Sequence, residues 1–148
     1  MIEFEKLKEV LLSSSKVLIT THVNPDADAI GSEMAIYHLL TELGKDVYII
    51  NFSSTPYNLD FLDPSGVIKQ YSSGLHDELI RSADLFIAVD FNRSDRVVKM
   101  KDAVDNSNAV KICIDHHLQP ENFVDYQFID DNYSSTGEII YDFIKKTG

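Results

Sequence analysis

Apolar residues fall along this chain in two alternating rhythms. The runs KVLITTH (16–22), DVYIINF (46–52), DLFIAVD (84–90) and VKICID (110–115) have the length and β-branched content of strands buried on both faces. FVDYQFID (123–130) is a weaker run of the same kind, and VIKQY (67–71) a short one. Residues 3–13 and AIGSEMAIYHLLTELG (29–44) instead repeat their apolar positions at helical spacing, the second ending on Gly44, a residue suited to close a helix. Between Pro56 and Pro64 the segment YNLDFL predicts a short helix within a loop. A last helix is expected to begin near Ser135, where SSTGE sets Ser135 and Glu138 at the spacing of a capping box. Strand and helix patterns that alternate in this way predict an α/β fold: a doubly wound, mostly parallel five-stranded sheet with helices on both faces. No repeat or low-complexity linker divides residues 1–148, so a single domain is expected.

Charge changes the picture in one respect. The net charge of −11 disfavours wrapping a nucleic acid with basic side chains. That objection weakens where carboxylates hold divalent ions, because bound cations reverse the local charge. The single cysteine, Cys113, lies inside an apolar run and reads as a small buried hydrophobe; one thiol forms no internal disulfide, which suits a reducing cytoplasm. The N-terminus, MIEFEKLKEVLL, lacks the basic start and apolar centre of a signal peptide. No run approaches the ~18 apolar residues of a membrane span.

The polar residues with metal-binding chemistry collect where the strand patterns stop. The first strand runs out into His22, Asn24, Asp26 and Asp28; DLFIAVD ends on Asp90; VKICID ends on Asp115, His116 and His117; FVDYQFID ends on Asp130, with Asp131 beside it. In an open α/β sheet these positions share one edge, beyond the carboxyl ends of the strands. Each aspartate taken alone is as readily a helix cap or a turn residue. Four strands delivering His and Asp to one edge is a different matter. Imidazole and carboxylate donors suit manganese-class divalent ions, and a shared carboxylate can hold two such ions about 3.5–4 Å apart. Asp26 and Asp28, two apart on an extended loop, could then serve different ions. His38 and His76 fall outside this pattern and are given no role.

Four segments together resemble the motifs of the DHH superfamily of phosphoesterases. THVNPDADAIGS (21–32) is similar to the first motif, AVDFNRSDR (88–96) to the second, IDHH (114–117) to the signature third and FIDDNYSSTGEIIY (128–141) to the fourth. The flanking sequence is most similar to the bacterial nanoRNase/oligoribonuclease branch, whose members degrade very short RNAs and in some cases dephosphorylate phosphoadenosine phosphate. The resemblance implies a cytoplasmic hydrolase with two divalent ions, Mn2+ by expectation and Mg2+ or Co2+ as alternatives. It implies His22 and Asp26 on one ion, Asp28 and His116 on the other, Asp90 bridging both, and Asp130 as the ligand from the fourth motif. His117 is expected to face the substrate phosphate, Asp115 to orient the histidine pair, and Asn24 to shape the loop or lie beside the phosphate. The resemblance thus implies Asp90, Asp115 and His117 as the catalytic group.

The expected reaction is metal-dependent hydrolysis of a phosphate ester in a short oligoribonucleotide or small nucleotide. Cyclic-dinucleotide phosphodiesterase, inorganic pyrophosphatase and a non-catalytic metal-binding module are the rival readings. Relatives carry a smaller C-terminal domain with a glycine-rich substrate motif, and nothing of that kind follows KKTG at 145–148. Residues 1–148 are therefore expected to be the metal-binding domain with its C-terminal partner domain absent, and weakly active alone. A homodimer is left open, and no membrane partner is expected.

Overall fold

The computed structural model describes residues 1–148. Its sheet comprises β1 (Lys16–Thr20), β2 (Asp46–Asn51), β3 (Ile68–Gln70), β4 (Leu85–Val89), β5 (Val110–Asp115) and β6 (Tyr126–Ile129). The helices are α1 (Phe4–Leu12), α2 (Ala27–Glu42), α3 (Asp77–Ser82), α4 (Lys101–Asp105) and α5 (Thr136–Thr147), with 3-10 segments at Tyr57–Leu62 and Ser94–Met100. The strands lie in the order β3-β2-β1-β4-β5-β6 and every neighbouring pair is parallel. The sheet therefore has six strands rather than the five expected, and it is wholly parallel. Both short candidates, β3 and β6, take edge positions, where a strand of three or four residues needs a partner on one side only.

The central strands are apolar throughout because both of their faces are covered. Alternate residues of β1 point to opposite sides: Val17 and Ile19 join the core beneath α1, α2 and α5, while Leu18 joins the core beneath α3 and α4. β4 divides in the same way, with Leu85, Ile87 and Val89 on the first side and Phe86 and Ala88 on the second. Helix α2 starts on Asp26, whose Oδ1 accepts the Ala29 amide at 2.9 Å. It ends in a Schellman turn: Gly44 has φ +78°, and the amides of Gly44 and Lys45 return to the carbonyls of Thr41 and Leu40 at 3.0 Å each. At α5, Ser135 Oγ accepts the Glu138 amide at 3.1 Å. The Glu138 carboxylate reaches back to the amide and hydroxyl of Ser134, one residue earlier than a standard capping box would place it.

From β1 the chain winds outward to β2 and β3, and it then returns to the opposite side of β1 for β4, β5 and β6. The order reverses between β1 and β4. Loops leaving those two strands diverge to opposite faces and open a crevice at their carboxyl ends. Everything that follows lies in or beside that crevice.

Candidate metal centre

Asp90 stands at the middle of the site. It follows β4, and its amide still donates to the Ile114 carbonyl at 3.0 Å, so the β4–β5 ladder holds it in place. Its φ of +64° is left-handed, a conformation that aspartate tolerates better than most side chains. The carboxylate is 2% exposed. His22 Nε2 approaches its Oδ2 at 3.4 Å, and His116 Nε2 its Oδ1 at 3.6 Å. Two groups of converging donors share this one side chain: His22, Asp26 and Asp90, and Asp90, His116 and His117, with the donor atoms of each group within 4.8 Å of one another. Asp28 borders the second group, its Oδ2 lying 3.6 Å from His116 Nε2.

Local sequence explains how each donor is aimed. His22 hydrogen-bonds through Nδ1 to the Val23 carbonyl at 2.8 Å, which fixes the proton on Nδ1 and leaves the Nε2 lone pair toward Asp90. His117 Nδ1 lies 2.6 Å from Oδ1 of the fully buried Asp115. That bond leaves Nε2 as the free nitrogen of a ring about half exposed, at 51%. Asp28 sits in the first turn of α2 but is held by α5, the helix packed beside it on the same face of the sheet. Its two oxygens accept the amides of Thr136 at 3.0 Å and Gly137 at 2.9 Å, the first residues of α5. Thr136 Oγ1 in turn donates to Asp90 Oδ1 at 2.9 Å.

Of the residues singled out in the sequence, His22, Asp26, Asp28, Asp90, His116 and His117 are brought together, with Asp115 behind His117. Asp130 is not. Its Oδ1 accepts the backbone and side-chain amides of Asn132 at 3.0 and 2.8 Å, and its Oδ2 faces the N-terminal amine at 3.6 Å. Those amide bonds hold its carboxyl below the ordinary aspartate range, the signature of a turn-forming aspartate. Asn24 stands on the rim, with φ +54° and its amide on Ser53 Oγ at 3.0 Å. Cys113 is buried, its Sγ directed to the Phe91 carbonyl.

Sequence reasoning missed four residues. Thr136 and Gly137 read as an ordinary helix start, because nothing local marks a partner 108 or 109 residues away. Asn92 is 6% exposed and donates to the carbonyls of His117 and Leu118 at 3.3 and 3.2 Å, so it shapes the loop after the histidine pair. Glu33, on α2, is fully buried with Oε2 accepting from Asn51 at 2.9 Å, while Oε1 has no partner. Burial pushes its carboxyl up to about 8.

The donor set suits divalent cations. Burial pushes the Asp90 carboxyl above the usual aspartate range; the His22 contact opposes this and the Asp28 charge adds to it. Asp90 conversely raises His22 above the ordinary histidine value. Three carboxylates thus converge where no lysine or arginine forms an ion pair with any of them, and imidazoles are the sole counterweight. Oxygen and imidazole nitrogen donors without a thiolate match hard to borderline ions.

The chain is similar in sequence and fold to known proteins. Residues 16–148 match the DHH family, N-terminal domain, and the chain belongs to that family. It is 30% identical over 132 residues to the bifunctional oligoribonuclease and PAP phosphatase NrnA of Thermus thermophilus, covering 89% of this chain and 37% of that protein. It is 24% identical to the cyclic-di-AMP phosphodiesterase PdeA of Listeria monocytogenes, covering 92% of this chain and 22% of that one. Among solved structures, an exopolyphosphatase-related protein from Bacteroides fragilis superposes with a TM-score of 0.92 at 35% identity, over 98% of this chain and 43% of the other. The exonuclease RecJ bound to manganese shares the fold at 17% identity, with a TM-score of 0.53 over 98% of this chain and 37% of that one. The chain thus spans little more than a third of the first of these relatives. No helix is long and apolar enough to cross a membrane.

Proposed function

We propose that this chain is the metal-binding part of a phosphoesterase that hydrolyses phosphate esters of short oligoribonucleotides or small nucleotides. The observation that carries the reading is Asp90, one buried carboxylate shared by two groups of metal-type donors at the switch point of the sheet. In this reading His22 and Asp26 would hold one divalent ion, Asp28 and His116 the other, and Asp90 would be shared between them. Asp130 takes no part. Bound there, manganese-class ions would polarise a phosphoryl oxygen and acidify the attacking water.

The chain's own residues do the rest. Asp115 fixes the His117 ring, so that its Nε2 meets a phosphoryl oxygen at a defined place and can hold a proton there. Thr136 and the α5 amides keep Asp90 and Asp28 aimed, so little rearrangement accompanies the reaction. Asn24 borders the path by which the phosphate enters.

Manganese titration of the chain by calorimetry tests the reading, followed by turnover of a 5′-phosphorylated dinucleotide and of pyrophosphate side by side. Two bound ions and manganese-dependent cleavage of the dinucleotide are expected. Absence of divalent binding, or cleavage of pyrophosphate alone, overturns it.

A further inference from the structure

Beside the metal centre, at the carboxyl ends of β2 and β3, lies an open depression of about 490 Å³. This volume is within the range of about 300–1,000 Å³ typical of small-ligand sites. Its walls include Asn24, Phe52, Ser53, Gln70, Tyr71 and Lys99. The depression is joined to the metal centre through the loop that carries His22 and Asp26. Asn24, between those two residues, lines it, and the Asn24 backbone amide donates to Oγ of Ser53, another lining residue, at 3.0 Å. The neighbouring Val23 amide donates to the Arg96 carbonyl at 3.2 Å, which ties the same loop to the 3-10 segment bearing Lys99.

The walls combine aromatic, hydroxyl, amide and cationic groups. The chain carries 24 acidic residues, yet none of the eight that line the depression is a carboxylate. Lys99 is exposed, and no acidic side chain pairs with it. Phe52 and Tyr71 are half-buried and rest against the core under α3 and α4. The Tyr71 ring is held by its hydroxyl, which donates to the Asp77 carboxylate, and the Phe52 backbone carbonyl accepts from the Gln70 side chain at 3.4 Å. Two half-buried aromatic side chains, hydroxyl and amide groups, and one free cation are what a nucleotide asks of a protein: a stacking surface for the base, polar partners for its edge and a charge for its phosphate.

We propose that this depression holds the nucleoside next to the scissile phosphate, with its base against Phe52 and Tyr71 and its second phosphate at Lys99. The assignment rests on the phosphoesterase reading above and deepens it, for it places substrate recognition within this domain. A site with one base-sized platform and one free cation favours substrates a nucleotide or two long, in which the second phosphate is terminal and carries the higher charge.

Amide chemical shifts of the magnesium-loaded chain test it, with inorganic phosphate, adenosine 5′-monophosphate and adenosine 3′,5′-bisphosphate as probes. Phosphate should move only resonances around His22, Asp90 and His116. Both nucleotides should in addition move Ser53, Gln70 and Tyr71, and the bisphosphate should move Lys99. Lys99→Gln, at an exposed position, should weaken the bisphosphate about tenfold and leave inorganic phosphate unchanged, since one phosphate contact is lost. Nucleotides that move only the metal-centre resonances overturn the subsite and leave the phosphoesterase reading standing. If no probe moves any resonance, both fall.

Discussion

Asp90 concentrates two costs in one residue, a left-handed backbone and a buried carboxylate facing Asp28. Such costs persist where a site needs them. Asp90→Asn removes the charge while keeping a side chain that tolerates positive φ and an oxygen that can accept from Thr136. The metal-free variant should therefore be at least as stable as the parent, by up to about 1 kcal/mol, since the buried like-charge contact is gone. It should also lose the rise in melting temperature that manganese gives the parent. Thermal unfolding with and without manganese checks both halves, and a variant that keeps the manganese shift removes Asp90 from the centre.

Glu33 supplies a pH signature. Burial raises its folded pKa to about 8 from an ordinary 4.5, so the folded state keeps a proton that the unfolded chain releases. The resulting stability is complete below pH 4.5 and is lost progressively as pH rises toward 8. The loss is on the order of a few kcal/mol, because each tenfold change in proton affinity is worth about 1.4 kcal/mol. Glu33→Gln, neutral at every pH, should flatten this decline in metal-free protein. Parallel denaturant midpoints from pH 5 to 8 in the two proteins would refute the assignment.

At this scale the residues that cluster at the candidate site were legible in the sequence. His22, Asp26, Asp28, Asp90, His116 and His117 each follow a readable strand, and the strand-end rule gathers them. Asp130 follows a strand too, yet its carboxylate closes a turn on Asn132. Nothing in an isolated aspartate separates those uses. Glu33 looked like one polar residue in a helix, because its partner Asn51 belongs to another element.

Among the elements, α5 does more than pack. It lies against α1 and α2 through Ile139, Ile140 and Phe143, and that packing brings its N-terminus onto Asp28 and Asp90. A Cβ on Gly137 would come within 3.3 Å of Asp28 Oδ1, so glycine gives the carboxylate its seat. Thr136→Val should keep shape and burial while deleting the hydroxyl that fixes Asp90. Manganese affinity should fall about tenfold, the range seen when a partner holding a metal ligand is removed. Thr136→Ser should restore it. Titration calorimetry decides the matter; unchanged affinity in the valine variant shows the hydroxyl to be idle. The sequence disclosed α2 and α5, whose caps and periodicity span several turns. It did not disclose α3, α4 or the 3-10 segment at Ser94–Met100, which are too short to display a helical period.

For the whole molecule, the parallel winding was legible because continuous apolar strands demand cover on both faces. The strand order was not: it depends on which way each crossover turns, and a five-residue strand carries no address for its neighbour. The order matters, for it sets the metal centre and the aromatic depression side by side. Charge then limits what can bind. A chain of net charge −11 repels a long polyanion, and in the proposed reading only the edge that would hold the divalent ions, with Lys99 beside it, offsets that repulsion. Lengthening an oligoribonucleotide beyond the two or three phosphates at that edge should add no further cation contacts. In magnesium, the affinity for a dinucleotide should fall with monovalent salt at a log–log slope near −1, about 0.7 per phosphate neutralised. A twelve-nucleotide strand should show nearly the same slope and no tighter binding. The measurement is fluorescence anisotropy of end-labelled strands of both lengths across a salt series. A slope for the longer strand steeper than about −3 would reveal a basic track, and the proposed preference for short substrates would then have no electrostatic basis in this domain.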